Sequence, residues 1–316
     1  MDHATATLNQ VLPILLLIVL GHQMRSRGWF RESHMEGLKW LVINVALPSV
    51  LFLSFLSLEL KVSYLAVMVM MFVLCIALYG AGVIIQRVFS IDHPYFPLLI
   101  TGFEFGMLGV SLFGATYGLE QIGYIAVIGL GHEFFIWFPF LSLLLIRRDG
   151  IRDVTTLATA FLKAPPIIAI ICGIALNLLG LNQGLHAWPV TGGMLATLKF
   201  AGNMIIPLIL VIVGFGFKLD AHGIKDVLVA VGVRMAILIP TALILGRVVL
   251  HGMLGLERGF EAGLFVMLIL PPPFIIPLFM KAEDREERRY VNNVLTVNTA
   301  FSLLAFGIYL AFNPGL

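Results

Sequence analysis

Thr101–Gly118, TGFEFGMLGVSLFGATYG, and Glu261–Lys281, EAGLFVMLILPPPFIIPLFMK, decide how this chain folds. The first carries glycines at 102, 106, 109, 114 and 118 around Glu104; the second carries prolines at 271, 272, 273 and 277. Both lie in apolar stretches long enough to cross a bilayer, yet neither can form a regular helix. Glycine costs about 1 kcal/mol in a helix interior, and proline removes a backbone donor and clashes one turn back. Irregular backbone at bilayer depth persists only where it is buried in protein or lines a cavity. Interrupted segments at matching positions of two halves point to the binding site of a transporter.

Composition sets the class. Hydrophobic residues make up 59% and charged residues 12% of the 316, and the mean hydropathy is +1.00. Soluble domains carry about 25% charge. With about 20 apolar residues per span, ten spans are expected, at 8–24, 38–57, 64–86, 94–118, 122–146, 163–180, 192–217, 226–250, 258–281 and 290–312. The first span is expected to be a transmembrane helix rather than a signal peptide, because no Lys or Arg precedes it and no small-residue cleavage site follows. Fifteen of the 20 Lys and Arg residues fall in the loops after odd-numbered spans, against Lys61, Arg247 and Arg258 on the opposite side. The positive-inside rule then makes the odd loops cytoplasmic and places both termini outside. The net charge of +2 expresses this bias and does not suggest nucleic-acid binding. Cys75 and Cys172 read as small buried hydrophobes.

The two halves, 1–150 and 151–316, share punctuation. Pro13 stands eight residues before Gly21, and Pro165 eight before Gly173. Asn44-Val-Ala-Leu-Pro48 in span 2 matches Asn203-Met-Ile-Ile-Pro207 in span 7. Span 4 is expected to break at Gly106–Gly109 and span 9 at Pro271–Pro273. Five spans per half is an odd number, so the second copy enters the membrane from the other side. The expected fold class is therefore an all-α membrane protein of ten helices in two inverted repeats, with a site where the copies meet.

Ionisable groups within spans default to functional candidates. Glu104 can neutralise the positive ends of the half-helices left by the breaks, take up a proton, or hold a sodium ion. Glu133 follows His132 in span 5, and the two suggest either a proton relay or a hydrogen-bonded interhelical pair, since neighbours in a helix need not share a face. Arg234 in span 8 is expected to contact an anion, to pair with Glu104 or Glu133, or to snorkel to the surface. Asn203 and Asn298 are polar candidates for packing or binding. The crossing itself would be built from Gly106, Gly109, Ser111, Pro271, Pro272 and Pro273. No aspartate-rich pair, metal-spaced His/Cys cluster or P-loop appears, so neither an enzyme nor a cofactor is expected.

VLPILLLIVLGHQMRSRGWF, LKWLVINVALPSVLF, APPIIAIICGIALNLLGL, LKFAGNMIIPLILVIVGFGF, GLFVMLILPPPFIIPLFM and YVNNVLTVNTAFSLLAF together resemble the auxin efflux carrier family. That family includes plant PIN-formed carriers and bacterial permeases of the wider bile-acid, arsenite and riboflavin transporter superfamily. The resemblance covers essentially the whole chain. It implies helices 4 and 9 crossing as interrupted helices, an arrangement shared with sodium/proton antiporters and bile-acid symporters. It also implies a bacterial inner membrane, a small organic anion as cargo, and, by fold analogy, a homodimer. The chain departs from the family at the crossing. Glu104 stands where asparagine is common, and Ser111 where proline is common. The departure implies H+ or Na+ coupling through position 104. A cation/proton antiporter and a ligand-sensing receptor are the alternatives.

Overall fold

The computed structural model describes residues 3–59, 61–149, 159, 162–217, 223–280, 283, 285–313 and 315. Arg152, Lys218 and Lys281, counted above for orientation, lie outside the described residues. The long helical runs are α1 His3–Ser26, α2 Glu32–Ser57, α3 Ser63–Val88, α4 Phe96–Tyr117, α5 Leu119–Arg147, α6 Pro165–Leu178, α7 Pro189–Gly216, α8 Ile224–Met253, α9 Arg258–Ile269 and α10 Arg285–Phe312. No strand occurs among the described residues. Seven of these runs (α2, α3, α4, α5, α7, α8 and α10) are long and apolar enough to cross a membrane. The expected spans 8–24, 163–180 and 258–281 are not among the seven. The first two are carried by the shorter apolar helices Leu12–Ser26 and Pro165–Leu178, and in the third α9 stops at Ile269, just before the proline run. The chain is an all-α, multi-span membrane protein. Cys75 is buried as expected, but Cys172 is exposed, on the outward face of α6.

Two close backbone crossings organise one side of the molecule. α1 runs along Ile205–Gly216 of α7, and α6 runs along Leu47–Ser57 of α2. A Cβ added at Gly21 would sit 2.0 Å from the Val211 carbonyl oxygen and 2.9 Å from the Phe215 nitrogen. One added at Gly173 would sit 2.8 Å from the Phe52 oxygen and 3.3 Å from the Leu56 nitrogen. Val211 and Phe215 follow Pro207 by four and eight residues, and Phe52 and Leu56 follow Pro48 by the same intervals. One turn beyond each glycine a polar side chain ties off the neighbouring helix. Arg25 donates to the Phe215 carbonyl at 2.8 Å. Asn177 donates to the carbonyls of Phe55 at 2.8 Å and Leu58 at 2.6 Å. The glycine contacts repeat position for position, and the polar ties reach carbonyls within a few residues of the matching positions. Only glycine allows backbones to meet at this distance. Gly21→Leu is therefore expected to lower the unfolding temperature sharply in detergent, whereas Gly37→Leu, where the added atom meets nothing within 4 Å, serves as the neutral control.

The remaining helices form a second group. α3 packs on Phe96–Ile100 of α4 and on Ile122–Phe135 of α5; α9 packs on that same stretch of α5 and on α8, which also contacts α10. At one end of this group, Tyr124 donates its hydroxyl to Glu257, and Lys61 approaches Glu257 at 3.4 Å and Glu59 at 3.6 Å. The Tyr124 hydroxyl, followed by Lys61, holds the Glu257 carboxyl below its usual range. A depressed carboxyl stabilises the fold above its unfolded value, 4.5, and that contribution is lost as pH falls through the lowered value. Tyr124→Phe is expected to flatten the fall in unfolding temperature between about pH 5 and pH 3. A profile parallel to the parent's would show that the contact contributes nothing.

Candidate functional site

The break in α4 lies at Thr101–Glu104, not at Gly106–Gly109 as the sequence suggested. Helix Phe96–Ile100 ends at an extended Thr101, Gly102 adopts φ +71°, and helical turns resume at Phe105. Gly102 is thus the residue that needs glycine's left-handed freedom. Gly106 and Gly109 are helical, in a wide π-type turn spanning Phe105–Gly109, and they serve close packing. A Cβ on Gly109 would come within 2.7 Å of Leu270, and one on Gly106 within 3.3 Å of Leu47. The second break falls where the prolines place it. α9 ends at Ile269, Leu270 turns extended, and a short helical turn resumes at Ile276–Phe279.

The two breaks meet. Gly102 lies against Pro273, the Glu104 N–H donates to the Pro271 carbonyl at 2.9 Å, and the Phe274 N–H donates to Glu104 Oε2 at 2.6 Å. Pro271, Pro272 and Pro273 are all buried there. Every residue of 101–104 is tied to a different neighbour. Thr101 donates to the Cys75 carbonyl of α3 at 2.7 Å, and the Gly102 carbonyl accepts from Arg234 of α8 at 2.8 Å. The Phe103 N–H donates to His132 Nε2 of α5 at 2.9 Å, and Glu104 holds the α9 break. A segment without internal helical bonds has its polar backbone satisfied in this way.

Arg234 is 1% exposed and therefore does not snorkel. It pairs with neither Glu104 nor Glu133. Its guanidinium donates to the carbonyls of Leu99 at 2.7 Å, Gly102 at 2.8 Å and Leu270 at 3.0 Å, and lies 4.9 Å from the Phe103 ring centroid. These carbonyls are the free C-terminal ends of the two half-helices, where backbone dipoles leave partial negative charge. A planar fork with five N–H donors can serve both ends at once. Glu104 performs the opposite task. It sits at the start of the resumed helix in α4 and takes the free N–H at the resumption after α9. The crossing is thus compensated by one internal cation and one internal carboxylate.

The other candidates sort around this centre. His132 Nδ1 lies 3.4 Å from Glu133 Oε1, although the two residues leave the helix on adjacent faces. Glu133 is 22% exposed and accepts from Trp137 at 3.1 Å. Asn298 is buried in α10 and donates to Ser302 at 3.2 Å; Ser302 in turn donates to the Ile269 carbonyl at the end of α9. Ser111 is buried, but its hydroxyl turns back to the Met107 carbonyl of its own helix at 2.8 Å. Asn203 is exposed at the end of Pro189–Asn203, just before the stretch Ile205–Gly216 that packs on Phe105–Gly109. Sequence reasoning passed over Thr101 and Ser302, whose hydroxyls serve carbonyls freed by the breaks. Their position, within a turn or two of an interruption or facing one across the bundle, was the available signal.

No protein-family model matches the chain. The chain is similar to a protein named an uncharacterized transporter from Methanothermobacter thermautotrophicus (strain Delta H), with 25% identity over 308 residues, 95% of this chain and 96% of the other. A multi-span helical membrane protein, with two broken helices meeting at buried charged side chains and end-to-end similarity to a protein so named, fits a transporter.

Proposed function

We propose that this chain is a secondary active transporter working by alternating access, with its binding site where Thr101–Glu104 meets Leu270–Phe274. One observation carries the reading: Glu104 is half-buried at the meeting point of two interrupted membrane helices and bonds to both. The architecture proposed is ten helices in two inverted five-helix repeats, of the auxin efflux carrier kind. The duplicate contacts at Gly21 and Gly173 support it, since they recur at equal intervals from Pro13 and Pro165 and from Pro207 and Pro48. α1, α2, α6 and α7 form the scaffold, and the other helices form the bundle that moves against it. The chain sits in a bacterial inner membrane with both termini outside, as a homodimer.

Glu104 carries the coupling proton or sodium ion, and the cargo is a small organic anion admitted once that ion cancels the carboxylate's charge. A second reading, cation/proton exchange without organic cargo, is favoured by a specific observation. Arg234 is committed to three carbonyls and is not free to receive an anion at the crossing. Reconstitution into proteoliposomes with imposed pH and sodium gradients separates the two. Labelled organic acids accumulating only under a gradient support the anion carrier. Proton or sodium flux indifferent to organic acids supports the exchanger. Saturable organic-acid binding with no flux of any kind would overturn both and leave a receptor.

A further inference from the structure

We infer that His132 is a positioning residue that holds the unwound segment of α4 as a hydrogen-bond acceptor, and is not a carrier of transported protons. The argument begins with the Phe103 amide. It lies in a stretch with no helical partner, it is buried, and its N–H donates to His132 Nε2 at 2.9 Å. A backbone N–H cannot accept, so Nε2 must present its lone pair and the ring proton must sit on Nδ1. Nδ1 is itself buried and has no aligned acceptor; the nearest oxygen is Glu133 Oε1 at 3.4 Å. The carboxylate beside Nδ1 favours this tautomer, as the partner of one ring nitrogen generally selects the state of the other. A second proton could enter only at Nε2, where it would confront the Phe103 N–H and expel it.

Every group facing the imidazole fits this assignment. Glu133 lies on the Nδ1 side, the Phe103 and Phe105 rings lie 5.7 and 6.5 Å away, and the Arg234 guanidinium rests on Phe103. His132 therefore fixes both the amide of Phe103 and the ring that supports the arginine spanning the half-helix ends. A proton relay through Nε2 would dismantle that support at each turnover. The relay suggested by the Gly131-His132-Glu133 sequence is replaced by a fixed tautomer. Its consequence for transport rests on the crossing being the transport site; the tautomer and the bond do not.

Two variants separate the bond from the ring. His132→Gln places a carbonyl oxygen at about the reach of Nε2 and removes the aromatic ring; His132→Phe keeps the ring and removes the acceptor. Hydrogen exchange of peptides covering 101–104, measured on the full chain in lipid nanodiscs, is expected to rise about tenfold in His132→Phe and to stay within about twofold of the parent in His132→Gln. The reverse order, or equal exchange in both, would overturn the bond. Nitrogen-15 spectra of histidine-labelled parent protein, with the His132 signal identified by its loss in His132→Gln, are expected to show the proton on Nδ1. A proton on Nε2 would overturn the assignment even if His132→Phe does not fold. In proteoliposomes, retained flux in His132→Gln supports the positioning role, and abolished flux in a well-protected His132→Gln protein restores the relay. Absence of flux in the parent itself would count against the transport reading alone.

Discussion

Replacing Arg234 with methionine is expected to unfold the crossing. Methionine matches the arginine stem in volume but leaves the carbonyls of Leu99, Gly102 and Leu270 without their donor. A buried acceptor left unpaired costs about 1–3 kcal/mol, so three together amount to several kcal/mol. The dipole ends that the guanidinium neutralises add to this. Thermal unfolding in detergent, followed by fluorescence-detected size exclusion, is expected to fall by about 10 °C or more, with little folded material recovered. Arg234→Lys is expected to lie between, because a compact ammonium cannot span carbonyls on two separate segments. If Arg234→Met unfolds within a degree or two of the parent, the arginine is not the tie between the half-helices.

Glu104→Gln is expected to act on transport and not on the fold. The glutamine carbonyl can still accept from the Phe274 N–H, so the two breaks stay joined and the unfolding temperature stays near the parent's. What disappears is the charge and the exchangeable proton. Under the proposed function, the dependence of uptake on a pH or sodium gradient is expected to be abolished, a loss far larger than any change in apparent affinity. Glu104→Ala, which also abandons the Phe274 amide, is expected to lose stability as well. Unaltered gradient dependence in Glu104→Gln would remove this residue from the coupling step.

The residues that broke the hydrophobic pattern were legible, and the groups that healed the breaks were not. Pro271–Pro273 could not be helical, so the second interruption was placed correctly. The first was placed five residues too late because glycine has two uses that look identical in sequence. Gly102 is there for its backbone angle and Gly109 for the approach of Leu270. Arg234 was visible as an intramembrane cation, but its partners are backbone carbonyls, which have no residue identity to read. For the same reason Glu104 found an amide and not a cation. Asn203 matched Asn44 in the repeat, yet its side chain is exposed and, among the described residues, makes no bond to the breaks. The hydroxyls of Thr101 and Ser302 were lost among the many Ser and Thr residues that membrane helices tolerate.

Under the proposed function, the Phe274–Glu104 bond has a consequence for the half of the cycle in which nothing is carried. A carrier that releases cargo and ion together must travel back vacant, and a vacant pocket exposing raw dipole ends would be held at one face of the membrane or would admit stray ions. Arg234 and Glu104 meet opposite ends of the crossing from within the chain itself, so neither set of dipole ends depends on cargo for its partner. Under the proposed function, the coupling ion approaches Glu104 Oε1 while Oε2 keeps the Phe274 amide. Under that same proposal, a crossing whose ends are met from within suits a symporter, which must return unloaded, better than an obligate exchanger, which never does.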